Sequence, residues 1–272
     1  MNRYRLIAAA LSGAALLASC DSLKSNTGLR NITSAPPSAR VKFHNFSPSA
    51  VGVNFYANNV KMTAIASSSC TPPATAADST ACATTGEEST IGTKYGQVAS
   101  GGLYDAIAPG QYTLTANIAG GTTVVSTVSQ AIADGKSYSF FMSGPYNATS
   151  KTAEAFVVED DVPTTVDDTL GYVRLVNAVS DGTGPLALYA TNAQTKAVTT
   201  VGAPVAYKAA GTFVTLTPGT YTIAAGYPGS STNLISRTTT ISVLGGHVYT
   251  VTAYGSTATT STLALDFTEN QR

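Results

Sequence analysis

The chain has 272 residues, of which only 11% are charged, and its 15 basic and 15 acidic residues balance to zero net charge. This balance gives no basic surface for phosphate backbones, so we expect no nucleic-acid partner. Tryptophan is absent, and Thr, Ser, Ala and Gly dominate between short runs of β-branched residues. Such a composition favours an extracytoplasmic β protein, and the length favours two domains.

The first 19 residues predict an export signal. Arg3 and Arg5 precede an apolar run at residues 6–18, which is too short to span a bilayer as a helix because a span needs about 20 residues. The run ends in Leu-Ala-Ser-Cys, which resembles the bacterial lipoprotein signal. That resemblance implies removal of residues 1–19 and acylation of Cys20, whose fatty chains would hold the protein on a membrane. An ordinary signal peptide with a chance cysteine is the alternative.

The segment at residues 20–38 has no sustained periodicity and ends near a Pro pair, so it is interpreted as the lipidated Cys and a flexible tether. Once Cys20 carries lipid, Cys70 and Cys82 remain as an even pair in a chain exported to an oxidising space. We therefore predict a disulfide between them. A zinc site is disfavoured because no Cys-x-x-Cys spacing occurs and the chain has only two histidines. No cofactor is expected.

An internal repeat defines the organisation of the rest of the chain. The motif at residues 39–45 recurs at 171–177, and the Pro-Gly-x-Tyr segment at 107–116 recurs at 216–225. Two copies of one domain are thus predicted, at residues 39–160 and 171–270. Between Tyr56 and Pro109 the first copy has a net 24 residues more than the second has between the matching Tyr189 and Pro218, and this insertion contains both Cys70 and Cys82.

Apolar residues alternate along the repeated segments, which is typical of half-buried strands. Tyr112, Leu114 and Ala116 would share one face, and Gly-Gly and Asp-Gly pairs would supply the turns. No segment after residue 20 keeps a helical period. We therefore predict an all-β fold, with about seven short antiparallel strands per copy packed as two sheets. The recurring tyrosines are expected in the core: Tyr56, Tyr112, Tyr138, Tyr189, Tyr221 and Tyr249.

The repeated motifs resemble a known family. Val-Lys/Arg-Phe/Leu-x-Asn, Pro-Gly-x-Tyr and Gly-x-x-Tyr, in this order in both copies, look like the bacterial domain of unknown function 4397. The resemblance covers nearly all of residues 39–270. It implies an immunoglobulin-like or transthyretin-like sandwich, common in exported proteins and lipoproteins, and it implies no established activity or catalytic residues.

No motif of a known hydrolase class occurs in the chain, so an enzyme is not predicted. His44 stands where the second copy has Val176, and His247 stands where the first copy has Lys136 at a turn. Both histidines are interpreted as structural or surface residues. Three tyrosines are specific to one copy in the sequence: Tyr95, Tyr146 and Tyr227. We expect them to be exposed, which makes them candidates for a sugar-stacking or protein-contact surface.

The segment at residues 161–170 is interpreted as an acidic linker between separable domains. Five carboxylates lie in or beside it and would suit a Ca²⁺ ion at a domain junction: Glu159, Asp160, Asp161, Asp167 and Asp168. A solvated linker is favoured instead, because the spacing of a dedicated calcium loop is missing.

The sequence thus predicts a lipoprotein of the bacterial cell envelope, anchored on the extracytoplasmic side of the inner or outer membrane. It would act as a non-catalytic binding or structural module, with an envelope protein or polysaccharide as candidate partner. The alternative is an envelope hydrolase or carbohydrate-active enzyme that uses an unrecognised site. Two tightly filled sandwiches would favour the first function, and a cleft with convergent acids the second.

Overall fold

The computed structural model of the chain describes residues 39–63 and 91–270. The predicted signal peptide, the tether, Cys20, Cys70 and Cys82 lie outside these residues, so lipidation and the disulfide stay predictions. The described residues belong to one compact unit. None of their helices has the length and apolar character that a membrane crossing would require.

Nine strands and a short 3₁₀ helix make up the described part of the first copy. They are β1 (Ala39–Asn45), β2 (Val53–Ala57), β3 (Val60–Lys61), β4 (Gln97–Val98), the 3₁₀ helix (Ala99–Gly102), β5 (Asp105–Ile107), β6 (Gly110–Ile118), β7 (Val124–Ile132), β8 (Ser137–Asn147) and β9 (Thr152–Glu159). An irregular segment then leads to the second copy.

Ten strands make up the described part of the second copy. They are β10 (Gly171–Val179), β11 (Leu186–Asn192), β12 (Val198–Val205), β13 (Ala209–Ala210), β14 (Val214–Leu216), β15 (Gly219–Gly226), β16 (Ile235–Ser236), β17 (Ile241–Val243), β18 (Val248–Ser256) and β19 (Thr259–Glu269). The count exceeds seven because some edges are split: β4 and β5 both pair with β1, and β16 and β17 both pair with β15.

Each copy forms two sheets that share one apolar core, which confirms the predicted all-β sandwich class. In the first copy, the sheet β4-β1-β8-β9 packs on the sheet β3-β2-β6-β7. In the second, β13-β10-β18-β19 packs on β12-β11-β15-β16 in the same way. The strand orders correspond one to one. Whether the copies are separable domains with the predicted boundaries stays a prediction.

The inward faces follow the alternation in the sequence. Leu114 and Ala116 on β6, and Ile223 and Ala225 on β15, are fully buried, while the residues between them are polar or small. A sandwich buries one face of each sheet, so a period of two places every second side chain in the core. Among the recurring tyrosines the burial is uneven: Tyr138, Tyr221 and Tyr249 are buried, whereas Tyr56, Tyr112 and Tyr189 are half-buried.

One pairing in each copy differs from the antiparallel prediction. The first and eighth strands run parallel, with Val41 opposite Tyr138, and β10 and β18 do the same with Val173 opposite Tyr249. The chain visits the other sheet between these strands, so no hairpin turn sets their relative direction. Alternation and turn residues define faces and hairpins, but they carry no information about such distant pairs.

A close approach occurs where the second copy begins. An added Cβ on Gly171 would lie 2.2 Å from Val243 Cγ1 and 3.0 Å from the Leu244 carbonyl oxygen. Only a residue without a side chain lets β10 start so close to β17.

We therefore expect Gly171→Ala to lower the free energy of unfolding by about 1–3 kcal/mol, the usual cost of overpacking. Gly121→Ala is the matched control. Its added Cβ would lie 3.7 Å from the nearest atom, the Ile118 carbonyl oxygen. Urea unfolding of both variants would measure the difference, and equal midpoints would contradict the close packing described for Gly171.

Candidate functional site

The two copies meet through an apolar cluster that is separate from both sandwich cores. The aromatic ring of Phe46 stacks on that of Tyr254, with centroids 4.1 Å apart. The buried members of this junction cluster come from both copies: Phe46, Phe141, Phe156, Val158, Val176, Ala178 and Tyr254. Apolar side chains of both copies therefore pack against one another at the junction.

A buried ion pair lies beside the cluster. The Asp160 carboxylate pairs with the Arg174 guanidinium, and the two side chains are 0% and 2% exposed. Asp160 also accepts hydrogen bonds from the hydroxyls of Tyr104 and Ser139, each at 2.7 Å. Its backbone N–H donates to the Ser137 carbonyl at 2.7 Å, which fixes the residue directly after β9. A buried charge with this many partners is a structural element of the junction.

Arg174 makes three further contacts, one to the first copy and two within its own. Its Nε donates to Thr250 Oγ1 at 3.0 Å, and Nη1 donates to the Glu159 carbonyl at 3.2 Å. Its guanidinium lies 4.6 Å from the ring centroid of Phe213, within reach of a cation–π interaction. β10 holds the side chain in position, since Val173 and Leu175 on either side of it pair in register with β18.

Lys42 repeats these contacts from the opposite side. It occupies on β1 the position of Arg174 on β10, its Nζ donates to the Glu269 carbonyl at 3.2 Å, and it lies 4.2 Å from the ring centroid of Tyr104. Burial lowers the pKa of Lys42 to about 8, although Asp160 and Asp266 act in the opposite direction. The junction thus has approximate twofold symmetry, with Lys42, Tyr104 and Glu269 mirroring Arg174, Phe213 and Glu159.

Two further titratable groups, Asp266 and Tyr104, lie near Lys42. Burial raises the pKa of Asp266, which accepts a hydrogen bond from the Thr268 hydroxyl. The pKa of Tyr104 is raised by burial and by the neighbouring Asp160 carboxylate, so its hydroxyl stays a donor. These groups face one another inside the junction and are satisfied there.

His44 is buried in the same region without a hydrogen-bond partner. Its ring lies between Phe141, at 4.3 Å between centroids, and Phe46, at 5.2 Å. Neither ring nitrogen has a partner among the described residues. Burial lowers the pKa of His44 well below its usual value, and the nearby charges of Lys42 and Arg174 lower it further. This geometry makes His44 a neutral core residue.

The predicted calcium ligands are not brought together. Glu159 forms an exposed ion pair with Lys136 at 2.6 Å, and Asp160 forms the buried ion pair with Arg174. Asp167 accepts hydrogen bonds from the backbone and hydroxyl of Thr169, whereas Asp161 and Asp168 are exposed. Across residues 39–63 and 91–270, no group of three or more acidic, His or Cys side chains is placed to hold a metal ion. The calcium hypothesis gains no support from this arrangement.

The three tyrosines predicted to be exposed are half-buried, so that expectation was wrong. Tyr95 contacts the second copy, where its hydroxyl donates to the Thr262 carbonyl and its ring meets Tyr254 edge-on. It is not specific to one copy either, because Tyr207 occupies the equivalent place before β13. Tyr146 and Tyr227 pack against the two sandwich cores. His247 is exposed and pairs with Glu269 at 2.8 Å, as Lys136 pairs with Glu159.

A groove of about 500 Å³ opens beside the junction. One wall is the irregular segment after β9, and the other is the β13–β14 loop, with Arg174 at the floor. The side chains and backbone that line it are Glu159, Asp161, Val162, Pro163, Thr164, Arg174, Ala210, Gly211, Thr212 and Phe213. Sequence reasoning missed this surface.

A length difference between the copies was the available signal for the groove. Six residues separate β4 from β5, and they include the 3₁₀ helix with its buried Ala99. Only three residues, Gly211 to Phe213, separate β13 from β14. The shorter loop leaves space where the first copy is filled.

The comparisons with known proteins leave the family open. No family model matches the chain, and no curated protein does. Among solved structures, the CBMbc module (family CBM26) of Eubacterium rectale Amy13K, in complex with maltoheptaose, is 12% identical over 86% of this chain and 96% of its own, with a TM-score of 0.23. This likeness is too slight to bear on fold or function. Membership in the domain of unknown function 4397 stays a prediction.

We expect Asp160→Asn to lower the free energy of unfolding by about 3–5 kcal/mol, because it leaves the Arg174 charge buried without a carboxylate. Glu159→Gln, one residue earlier, is the matched control and should cost less than about 1 kcal/mol, since it breaks an exposed pair. Chemical denaturation of both variants measures this. A similar small loss in both would contradict a structural role for the buried pair.

His44 should make stability depend on pH. The unfolded chain binds a proton near pH 6.5, whereas folded His44 does so only well below that value, so stability falls as pH drops below about 6.5. Between pH 6.5 and 5.5 we expect His44 alone to remove about 1 kcal/mol.

The His44→Val variant, which copies Val176 of the second half, isolates this effect. Urea unfolding of both proteins at several pH values should show a difference in unfolding free energy that grows as pH falls. Parallel pH profiles for the two proteins would show that His44 is solvated or partnered after all.

Proposed function

We propose that this protein is an exported, lipid-anchored component of the bacterial cell envelope that acts as a non-catalytic binding module. One observation carries the binding role: the two sandwiches are joined by a buried charge network, and an open groove lies beside the join. The buried side chains of Asp160, Arg174 and Lys42 make contacts within the protein. They therefore have a structural role and stabilise the surface around the groove.

The anchoring part of the proposal rests on the sequence. Cys20 follows a 13-residue apolar run and small residues, and a tether precedes the first strand at Ala39. Fatty chains stabilise membrane attachment by about 0.8 kcal/mol per buried methylene.

A hydrolase remains the second candidate because two carboxylates, Glu159 and Asp161, line the groove. Acid–base hydrolysis of a glycoside needs one carboxyl group that keeps its proton. Glu159 is already engaged in an ion pair with the Lys136 ammonium at 2.6 Å. The binding function therefore fits the groove better.

Replacing Cys20 with Ser should move the protein from the membrane fraction to the soluble extracytoplasmic fraction and abolish labelling with fatty acid. Cys70→Ser is the control, because it removes a cysteine without touching the lipidation site. Retention of the Cys20→Ser variant in membranes after a high-salt wash would contradict lipid anchoring.

The binding part is tested by affinity capture. The soluble Cys20→Ser chain, immobilised and exposed to envelope extract, should retain a specific protein or polysaccharide that a heat-unfolded sample does not. If folded and unfolded samples retain the same material, the module does not bind envelope components.

A further inference from the structure

We propose that the groove between the segment after β9 and the β13–β14 loop binds a neutral saccharide unit. This inference rests on the proposed binding function and names its surface and ligand class. It follows from the shape, the lining and the charge of the groove.

The shape results from a place where the junction departs from its symmetry. In the first copy the longer loop crosses toward β19, where a Cβ added to Gly102 would lie 3.7 Å from Thr268 Cγ2. In the second copy the loop is three residues shorter and stops at Phe213. Residues 161–164 then form the opposite wall. The resulting volume of about 500 Å³ lies within the usual range for small-ligand sites, about 300–1,000 Å³.

The lining offers both kinds of contact that a sugar uses. Asp161 and Thr212 are exposed at the groove and supply hydrogen-bond acceptors and a hydroxyl. Phe213 and Pro163 supply apolar surface for the C–H face of a pyranose ring. An entirely apolar ligand would leave the carboxylates and hydroxyls desolvated without partners.

The charges around the groove favour an uncharged ligand. The Lys136 ammonium lies 2.6 Å from Glu159, and the Arg174 charge is offset by Asp160. Asp161 is thus the main unbalanced charge, and it also attracts Lys136. The carboxylates of Glu159 and Asp161 would repel a strongly anionic ligand. A polycation could pair with only one groove carboxylate, that of Asp161, because Glu159 is already paired with Lys136.

The test uses the full mature chain with Cys20→Ser and amide NMR. Three neutral disaccharides are titrated to about 20 mM, which detects dissociation constants in the millimolar range: cellobiose, maltose and N,N′-diacetylchitobiose. At least one should shift the amides of Asp161, Thr212 and Phe213 in a saturable way. Trilysine and digalacturonate are the charged comparators and should shift these amides less.

Thr212→Trp places an indole in the groove at an exposed position and should weaken the disaccharide at least tenfold. Thr122→Trp, at an exposed turn outside the groove, is the matched control and should bind like the parent. The proposal is overturned if no disaccharide shifts the groove amides, if binding survives in Thr212→Trp, or if a charged comparator binds better.

Affinity capture separates this proposal from the broader function. If Thr212→Trp still retains the same envelope component as the parent, the protein binds through another surface and only the groove assignment fails. If the disaccharide binds in the groove and capture by Thr212→Trp is lost, the groove assignment and the binding function are both supported.

Discussion

The buried pair of Asp160 and Arg174 is the constraint on which the arrangement of the two sandwiches depends. An unpaired charge in the junction would cost several kcal/mol, so the copies can be closely packed only where the two side chains meet. Asp160 follows the last strand of the first copy, and Arg174 lies on the first strand of the second. The irregular segment between them must therefore fold back beside the junction, and that position makes it a wall of the groove.

The symmetry of the junction explains why the copies pair with each other. The first copy supplies Lys42 and Asp160, whereas the second supplies Arg174 and, at the position of Asp160, Asn270. Asn270 donates to Thr250 at 3.0 Å, whereas at the equivalent place in the first copy Ser139 donates to Asp160. Two second copies joined in this way would bury two arginines opposite two asparagines, each without its carboxylate. The charge pattern thus disfavours a pair of second copies, while the repeated backbone supplies the common geometry.

Much of this fold could be predicted from the sequence, because period-two alternation identified the buried faces of β6 and β15, and repeated motifs identified equivalent strands. The parallel pairing of β1 with β8 could not, since residues so far apart in the chain share no turn. Asp160 looked like one of several linker acids, and burial could not be inferred from an acidic run. Tyr95 was misplaced because its equivalence to Tyr207 follows from strand register, which only the structure supplies. The groove depends on the length of the β13–β14 loop, and only a comparison of the two folded copies shows what this length does.

Several differences between the copies lie at their junction. β1 carries His44 against Phe46 and Phe141, where β10 carries Val176, and the loop before β5 has six residues, where the loop before β14 has three. The two copies of a duplicated domain start with identical surfaces. When they pair about a twofold axis, the surface is therefore the same on both sides of that axis. Only substitutions that break this equality can open a cavity on one side. The shortened loop with Phe213, beside the segment that joins the two copies, is such a break, and the groove opens there.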